Sequence, residues 1–307
     1  MRLVFFGSPA FALPSLLALQ QRFEVVLVVS QPDKPAGRGM SSSPPPVARK
    51  ARELGLELAQ PARLKGNDEF ARRLAELEPD VAVTAAYGKI LPRSLLDVPS
   101  HGFLNVHASL LPAYRGAAPI QWAIINGEEE TGVSIMQTEA GLDTGPVCLQ
   151  RRCRIGPDER APELFDRLAE LGAAAICEAL ERLGRGELEC RPQDDDAATL
   201  APMLTRAHGE IDWRRPAKAS FDRFRGTYGW PGSRFGFRGK WVRVYEMRPA
   251  DGAGEPGEVL EVSGAGLVVA CGEGALLLEV VQAEGKARNR ARDWANGYGV
   301  KVGSRLA

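Results

Sequence analysis

The stretch FLNVHASLLPAYRGAAPIQWA, residues 103–123, is the part of this 307-residue chain best equipped for chemistry. Its opening residues, Phe103–His107, read as a short buried strand, so Asn105 and His107 emerge on the same face while Leu104 and Val106 point into packing. A carboxamide N–H can donate to an oxyanion that develops during acyl transfer, and an imidazole can move protons near neutral pH. Taken alone, the pair is weak, and a capping Asn with a satisfied core His is the better explanation. A second acidic candidate, Asp143, lies in the loop GLDTG (Gly141–Gly145), where an Asp by itself is an ordinary turn residue.

Other chemistries find little support. The turn GSPAF after the first strand has no G-x-G-x-x-G pattern. Ser8 as an N-cap with Pro9 at the first helical position accounts for it structurally. That excludes a nicotinamide cofactor on this motif. The three histidines, His101, His107 and His208, have no Cys/His cluster around them, so no metal is expected.

The elements that must carry these residues follow from apolar patterning. Leu3–Phe6, Glu24–Ser30, Asp80–Ala86 and Phe103–His107 are short and rich in Val, Leu and Phe, as buried strands are. Helical patterns at Asp68–Leu77 and Ala117–Asn126 alternate with them, which predicts an α/β domain with a mostly parallel, Rossmann-like sheet. Gly132–Thr138 and Pro146–Ile155 read as a strand pair joined through the GLDTG loop, and Pro162–Leu183 as a long amphipathic helix.

Residues 1–186 form the expected first domain, and 187–206, which show no periodicity, a surface linker. Residues 207–307 form the expected small C-terminal β-barrel, OB-like, from the runs Phe235–Phe237, Trp241–Met247, Glu258–Val262, Gly266–Ala270 and Ala275–Gln282. Asp33–Lys50, rich in Gly, Ser, Pro and basic residues, reads as a long mobile loop.

Composition sets outer bounds. The chain is 44% hydrophobic and 25% charged, ordinary for a globular protein; its start, MRLVFFGSPAF, reads as a strand running into a turn and not as a secretory leader, and no apolar run approaches the roughly 20 residues that span a bilayer. Five cysteines without a CxxC pair read as reduced, mostly core thiols, and so point to the cytoplasm. Net charge is zero, yet residues 1–205 hold 22 Lys and Arg against 27 Asp and Glu, and residues 206–307 hold 17 against 12. A basic C-terminal part suits contact with a polyanion, although on charge alone a solvated surface with chance asymmetry is the better explanation.

Asn105, His107, Ser109, Leu110, Leu111 and Pro112, followed by Asp143 in Gly-Leu-Asp-Thr-Gly, resemble the signature of the 10-formyl-tetrahydrofolate-dependent formyltransferase family. The resemblance extends to FFGSPAFALPSL, QPDKPAGRGM, AAYGKILP (residues 85–92), ETGVSIMQT, IDW (residues 211–213) and VVQAEGKARNRARDWANGY. It is nearest to the branch of the family that acts on tRNA. One departure stands out: Tyr228-Gly229-Trp230-Pro231 occupies the place of an Asn-Pro-Trp-Pro segment.

The resemblance implies a translation-initiation enzyme. It would move a formyl group from 10-formyl-tetrahydrofolate, without metal or covalent intermediate, to the α-amino group of initiator methionyl-tRNA. Asn105 would hold the oxyanion, His107 would carry the proton, and Asp143 would orient and electrostatically support His107. Ala86, Tyr87, Gly88, Ile90, Leu91, Ser109, Leu110, Leu111, Pro112, Gly141 and Thr144 would line the folate pocket. Lys34, Arg38, Arg49 and Lys50 would enter the tRNA acceptor end. Arg214, Arg238, Lys240 and Arg243 would hold phosphates. A monomer is expected. The alternatives are a transferase acting on a small amine, a folate hydrolase, and a non-catalytic RNA-binding protein. The long basic loop and the intact Asn105, His107 and Asp143 set weigh against them.

Overall fold

The computed structural model describes residues 1–36 and 41–307, arranged as two compact units. The first comprises Met1–Pro119, Glu130–Arg154 and Leu164–Ala201; the second comprises Ile120–Glu129, Ile155–Glu163 and Pro202–Ala307.

In the first unit the strands are β1 (Arg2–Gly7), β2 (Glu24–Val29), β3 (Lys34–Ala36), β4 (Ser41–Ser43), β5 (Leu58–Ala59), β6 (Val81–Ala85), β7 (Phe103–His107), β8 (Glu130–Gln137) and β9 (Val147–Arg154). The helices are α1 (Leu13–Arg22), α2 (Pro46–Glu53), α3 (Asp68–Glu76), α4 (Arg93–Leu96), α5 (Pro119–Ile125) and α6 (Ala161–Gly184), the last two running into the second unit.

One sheet has the order β5-β2-β1-β6-β7-β8-β9, parallel from β5 to β7 and antiparallel across β7, β8 and β9. This is the doubly wound arrangement expected from the alternation of elements. It places the switch of strand order between β1 and β6, where ligands of such folds bind. Its centre is dry because the sequence makes it so: Leu3 to Phe6 and Val81 to Val83 are almost fully buried, and the Phe6 ring meets Tyr87 edge-on at 5.3 Å. Burying a side chain such as Phe6 contributes about 1.5–3 kcal/mol.

Three sequence expectations are corrected here. Ser8 is not an N-cap. Pro9 caps a 3-10 turn at Ala10–Ala12, and the buried Ser8 hydroxyl instead accepts from the Gln31 backbone amide at 3.1 Å. Asp33–Lys50 is not one long loop, because β3 and β4 pair antiparallel and α2 begins at Pro46, where the fixed proline φ suits a first helical turn. Nor are all five cysteines free, since Cys148 and Cys190 form a disulfide. Val147 and Arg191 exchange backbone hydrogen bonds at 2.8 and 2.9 Å, which sets the two cysteines side by side although 42 residues separate them. Of the three cysteines outside the disulfide, Cys153 is half-buried, whereas Cys177 and Cys271 are buried, and burial pushes Cys271 up to about 11.

The second unit holds α7 (Ala217–Thr227), β10 (Ser233–Phe237), β11 (Lys240–Ala250), β12 (Val259–Val262), β13 (Leu267–Ala270), β14 (Ala275–Ala283), β15 (Asn289–Arg290) and α8 (Ala291–Tyr298). Its sheet, β10-β11-β14-β13-β12 with β15 on β14, is antiparallel throughout. Phe221, Phe224, Phe235, Leu276 and Trp294 form its core together with the inward faces of α7 and α8. Buried within it, Arg225 donates to Asp222 at 2.5 Å and to the carbonyls of Gly156 and Glu159, so the guanidinium is largely satisfied.

Candidate active site

β7 presents Asn105 half-buried and His107 buried, as period-two alternation requires. Each is tied by a neighbour. Thr84, beside Asn105 in the parallel register of β6 and β7, donates its hydroxyl to Asn105 Oδ1 at 2.7 Å. With its oxygen end engaged, the carboxamide turns its NH2 edge away from Thr84. His107 Nε2 lies 3.0 Å from the Tyr114 carbonyl, an acceptor only, so that nitrogen carries the proton. In the neutral ring Nδ1 is then the basic nitrogen. It faces Asp143 Oδ2 at 3.7 Å, too far for a direct hydrogen bond but close enough for charge attraction once the ring has taken a proton.

The route by which Asp143 arrives is indirect. Gln137 at the end of β8 pairs with Leu104, and the following Thr138 N–H donates to Phe103 O, so the chain leaves the sheet beside the start of β7. The loop then returns Asp143 to His107. Its carboxylate accepts from the Gly116 N–H at 2.9 Å. At Gly145 a Cβ would sit 1.9 Å from the Gln137 carbonyl, so only glycine permits this return. Ala86, Tyr114 and Asp143 all have left-handed backbone, with φ of 47°, 62° and 52°. Non-glycine residues held there cluster at functional sites, where surrounding structure over-determines them.

The loop after β7 is stapled from below. Ser109 Oγ donates to Ala113 O at 2.6 Å, and its own carbonyl accepts from Ser134 Oγ at 2.7 Å. Gln150 Nε2 donates to Leu111 O and to Ser134 Oγ, both at 2.9 Å. These bonds make Ser109 a brace for the loop, with Leu111 buried and Leu110 and Pro112 half-buried. On the loop after β6, Tyr87 is packed in the core; burial pushes its phenol up to about 12, and its oxygen has no hydrogen-bond partner among the described residues. Leu91 is buried too, whereas Gly88 is exposed and Ile90 is 88% exposed. In the Asp143 loop Gly141 is exposed, Thr144 half-buried and Leu142 65% exposed.

A cavity of about 540 Å3 in this unit is lined by Leu111, Pro112, Gln150, Arg182, Arg191 and Gln193, among others, and contains none of Asn105, His107 and Asp143. Their arrangement follows from hydrogen bonding at strand and loop ends, so the cavity does not define the site.

The basic residues are distributed differently. Arg38 lies outside the described residues. Lys34 is on β3, Arg49 is exposed on α2, and Lys50 on the same helix pairs with Glu53. In the second unit Arg238 and Lys240 are exposed, Arg238 lying over the Phe237 ring at 4.9 Å. Arg214 hydrogen-bonds Asp212, which holds that carboxyl below its usual range and cancels much of the arginine's charge. Arg243 donates to the Gly229 carbonyl at 2.9 Å and shares the Tyr245 ring with Arg288, whose guanidinium is 3.7 Å from the centroid. Gly229 has φ 86°, which a proline ring held near about −65° cannot adopt.

Sequence reasoning missed three contributors: Thr84, the Tyr114 carbonyl, and Gln193, which donates to the carbonyls of Asp143 and Gly145.

β7 and the loop between β8 and β9 thus bring an amide, an imidazole and a carboxylate together. The family pattern described as formyl transferase matches residues 1–180, that described as formyl transferase, C-terminal domain, matches residues 203–299, and the chain belongs to this family. Among its relatives, the methionyl-tRNA formyltransferase of Deinococcus radiodurans is 53% identical over 99% of this chain and 95% of its own length. A methionyl-tRNA formyltransferase of Thermus thermophilus is 51% identical over 100% of this chain and 99% of its own length. The fold is also that of an N-formyltransferase from Helicobacter canadensis solved with folinic acid and dTDP-3-aminofucose. The TM-score is 0.71 at 16% identity, covering 92% of this chain and 98% of that one.

Proposed function

We infer that the chain transfers a formyl group from 10-formyl-tetrahydrofolate to the α-amino group of methionine on initiator tRNA, for translation initiation. The full-length similarity to methionyl-tRNA formyltransferases carries this reading, since it spans both units rather than a catalytic segment alone. Exposed Ile90 and Leu142, on the two loops assigned to folate, fit an apolar, planar partner. The folate supplies an activated formyl carbon. Asn105, oriented by Thr84, donates to the oxygen that gains charge as the amine adds. His107 takes the amine proton on Nδ1 and returns it to the departing folate nitrogen. The Tyr114 carbonyl holds the ring's tautomer, and Asp143 stabilises the imidazolium.

In this reading residues 1–186 are the catalytic domain, 187–206 connect, and 207–307 hold tRNA. Arg238, Lys240 and Arg243 contact phosphates, and the basic segment from Lys34 to Lys50 positions the acceptor end. The enzyme works as a monomer in the cytoplasm, where its substrates are.

Incubation with radiolabelled 10-formyl-tetrahydrofolate tests the reading against its rivals. Label is expected on charged initiator tRNA; transfer only to a small amine such as an amino-sugar nucleotide, or to water, would defeat it. Neutralising Arg238, Lys240 and Arg243 is expected to flatten the salt dependence of tRNA binding by about 0.7–0.9 in log–log slope for each phosphate no longer neutralised. An unchanged slope would remove these residues from the interface.

A further inference from the structure

We propose that Gln193 is a positioning residue for the transfer, holding Asp143 opposite His107 from a segment that reads as mere linker. The inference rests on the catalytic roles given above for Asp143 and His107. Both ends of the Gln193 carboxamide are committed. Its Nε2 donates to Asp143 O at 2.8 Å and to Gly145 O at 2.7 Å, using both amide hydrogens on the loop that carries the carboxylate. Its Oε1 accepts from Arg115 Nε at 3.0 Å and Nη2 at 2.8 Å. A flipped amide would press oxygen against two carbonyls and NH2 against a guanidinium, so the orientation has one solution.

Arg115 extends the reach of this contact. It is 7% exposed and follows Tyr114, whose carbonyl holds His107. Its backbone pairs with the same segment, Arg115 N–H to Thr199 O at 2.8 Å and Ala201 N–H to Arg115 O at 2.7 Å. The Tyr114 N–H donates to Thr199 Oγ1 at 2.8 Å. One strap, residues 190–201, thus grips both loops that touch His107: the Tyr114 loop by backbone pairing, the Asp143 loop through Gln193.

The strap itself is anchored by the Cys148–Cys190 disulfide and the Val147–Arg191 pairing. Beside it lies the 540 Å3 cavity, which Gln193 helps to line. Close packing does not back that side, so polar tethers set the strap's position, and Gln193 is the tether that reaches Asp143.

Gln193→Glu isolates this function. The glutamate keeps the size and the Arg115 contact, made stronger by charge, but loses both donors and faces two carbonyls instead. In the full-length protein, kcat for formyl transfer is expected to fall about 10–100-fold, as displacement of a catalytic group does, with KM for folate and tRNA within about threefold. In an Asp143→Ala background the same change should add less than about twofold, because coupled residues are not additive. Gln193→Met, which adds no charge, should repeat the pattern should the glutamate variant fold poorly. Unchanged kcat, a loss expressed in KM, or a loss that persists in full beside Asp143→Ala would overturn the proposal. Hydrogen exchange separates it from the functional reading. The Gly116 amide, bonded to Asp143, should lose protection in Gln193→Glu even if the wild type formylates no tRNA, and retained protection would refute the positioning role.

Discussion

Thr84→Val removes a single hydroxyl and keeps the shape of the side chain. Thr84 is 5% exposed, and its hydroxyl donates to Asn105 Oδ1 at 2.7 Å, with a second carbonyl, that of Leu104, at 3.5 Å. Without it, Asn105 loses the contact that decides which end of its carboxamide faces which way. A neutral hydrogen bond contributes about 0.5–1.5 kcal/mol net, which corresponds to a factor of about 2–13 in the population of the correct orientation. Single-turnover formyl transfer should slow by that factor. Asn105→Ala, which removes the donor altogether, should cost about 10²–10³. The two changes act on one group, so the double variant should be no slower than Asn105→Ala alone. Thermal midpoints, measured alongside, would expose any general destabilisation. If Thr84→Val slowed Asn105→Ala by its full factor again, or left the wild-type rate untouched, Thr84 would not orient the amide.

Two further outcomes test the packing. Asp222→Ala leaves the buried Arg225 guanidinium without its carboxylate and should cost about 3–5 kcal/mol of stability, read by denaturant unfolding; a loss below about 1 kcal/mol would show that the carbonyls of Gly156 and Glu159 suffice. Tyr87 has a folded-state pKa raised to about 12 from 10, so the stability linked to its proton is whole below pH 10 and lost as pH climbs through 12. The loss is at most about 1.4 kcal/mol per pH unit, and Tyr87→Phe should abolish this part of the alkaline decline while leaving folate KM unchanged. An identical decline in the variant would place its cause in other groups.

Much of the α/β unit was legible because its strands are short apolar runs, and Phe103–His107 matches β7 residue for residue. The pairing of β8 with β9 through the GLDTG loop was legible for the same reason. Helix α7 was not: Asp222 and Arg225 are buried as a pair within it, so two charged residues interrupt the apolar stripe that would announce a helix. At the candidate site, side-chain types revealed Asn105, His107 and Asp143. The Tyr114 carbonyl has no sequence signature, because every residue offers the same group. Gln193 was hidden by the lack of periodicity in its segment, which is held by hydrogen bonds to other loops rather than by an apolar face. The disulfide was equally silent, since backbone pairing and not spacing brings Cys148 to Cys190.

The central claim is that Asn105 and His107 carry out the transfer. Single-turnover formylation of charged initiator tRNA by Asn105→Ala and His107→Ala, with tRNA binding measured on the same preparations, addresses it most directly. The expected losses are about 10²–10³ and 10²–10⁴, with tRNA affinity retained. Transfer at close to the wild-type rate by either variant would contradict the account.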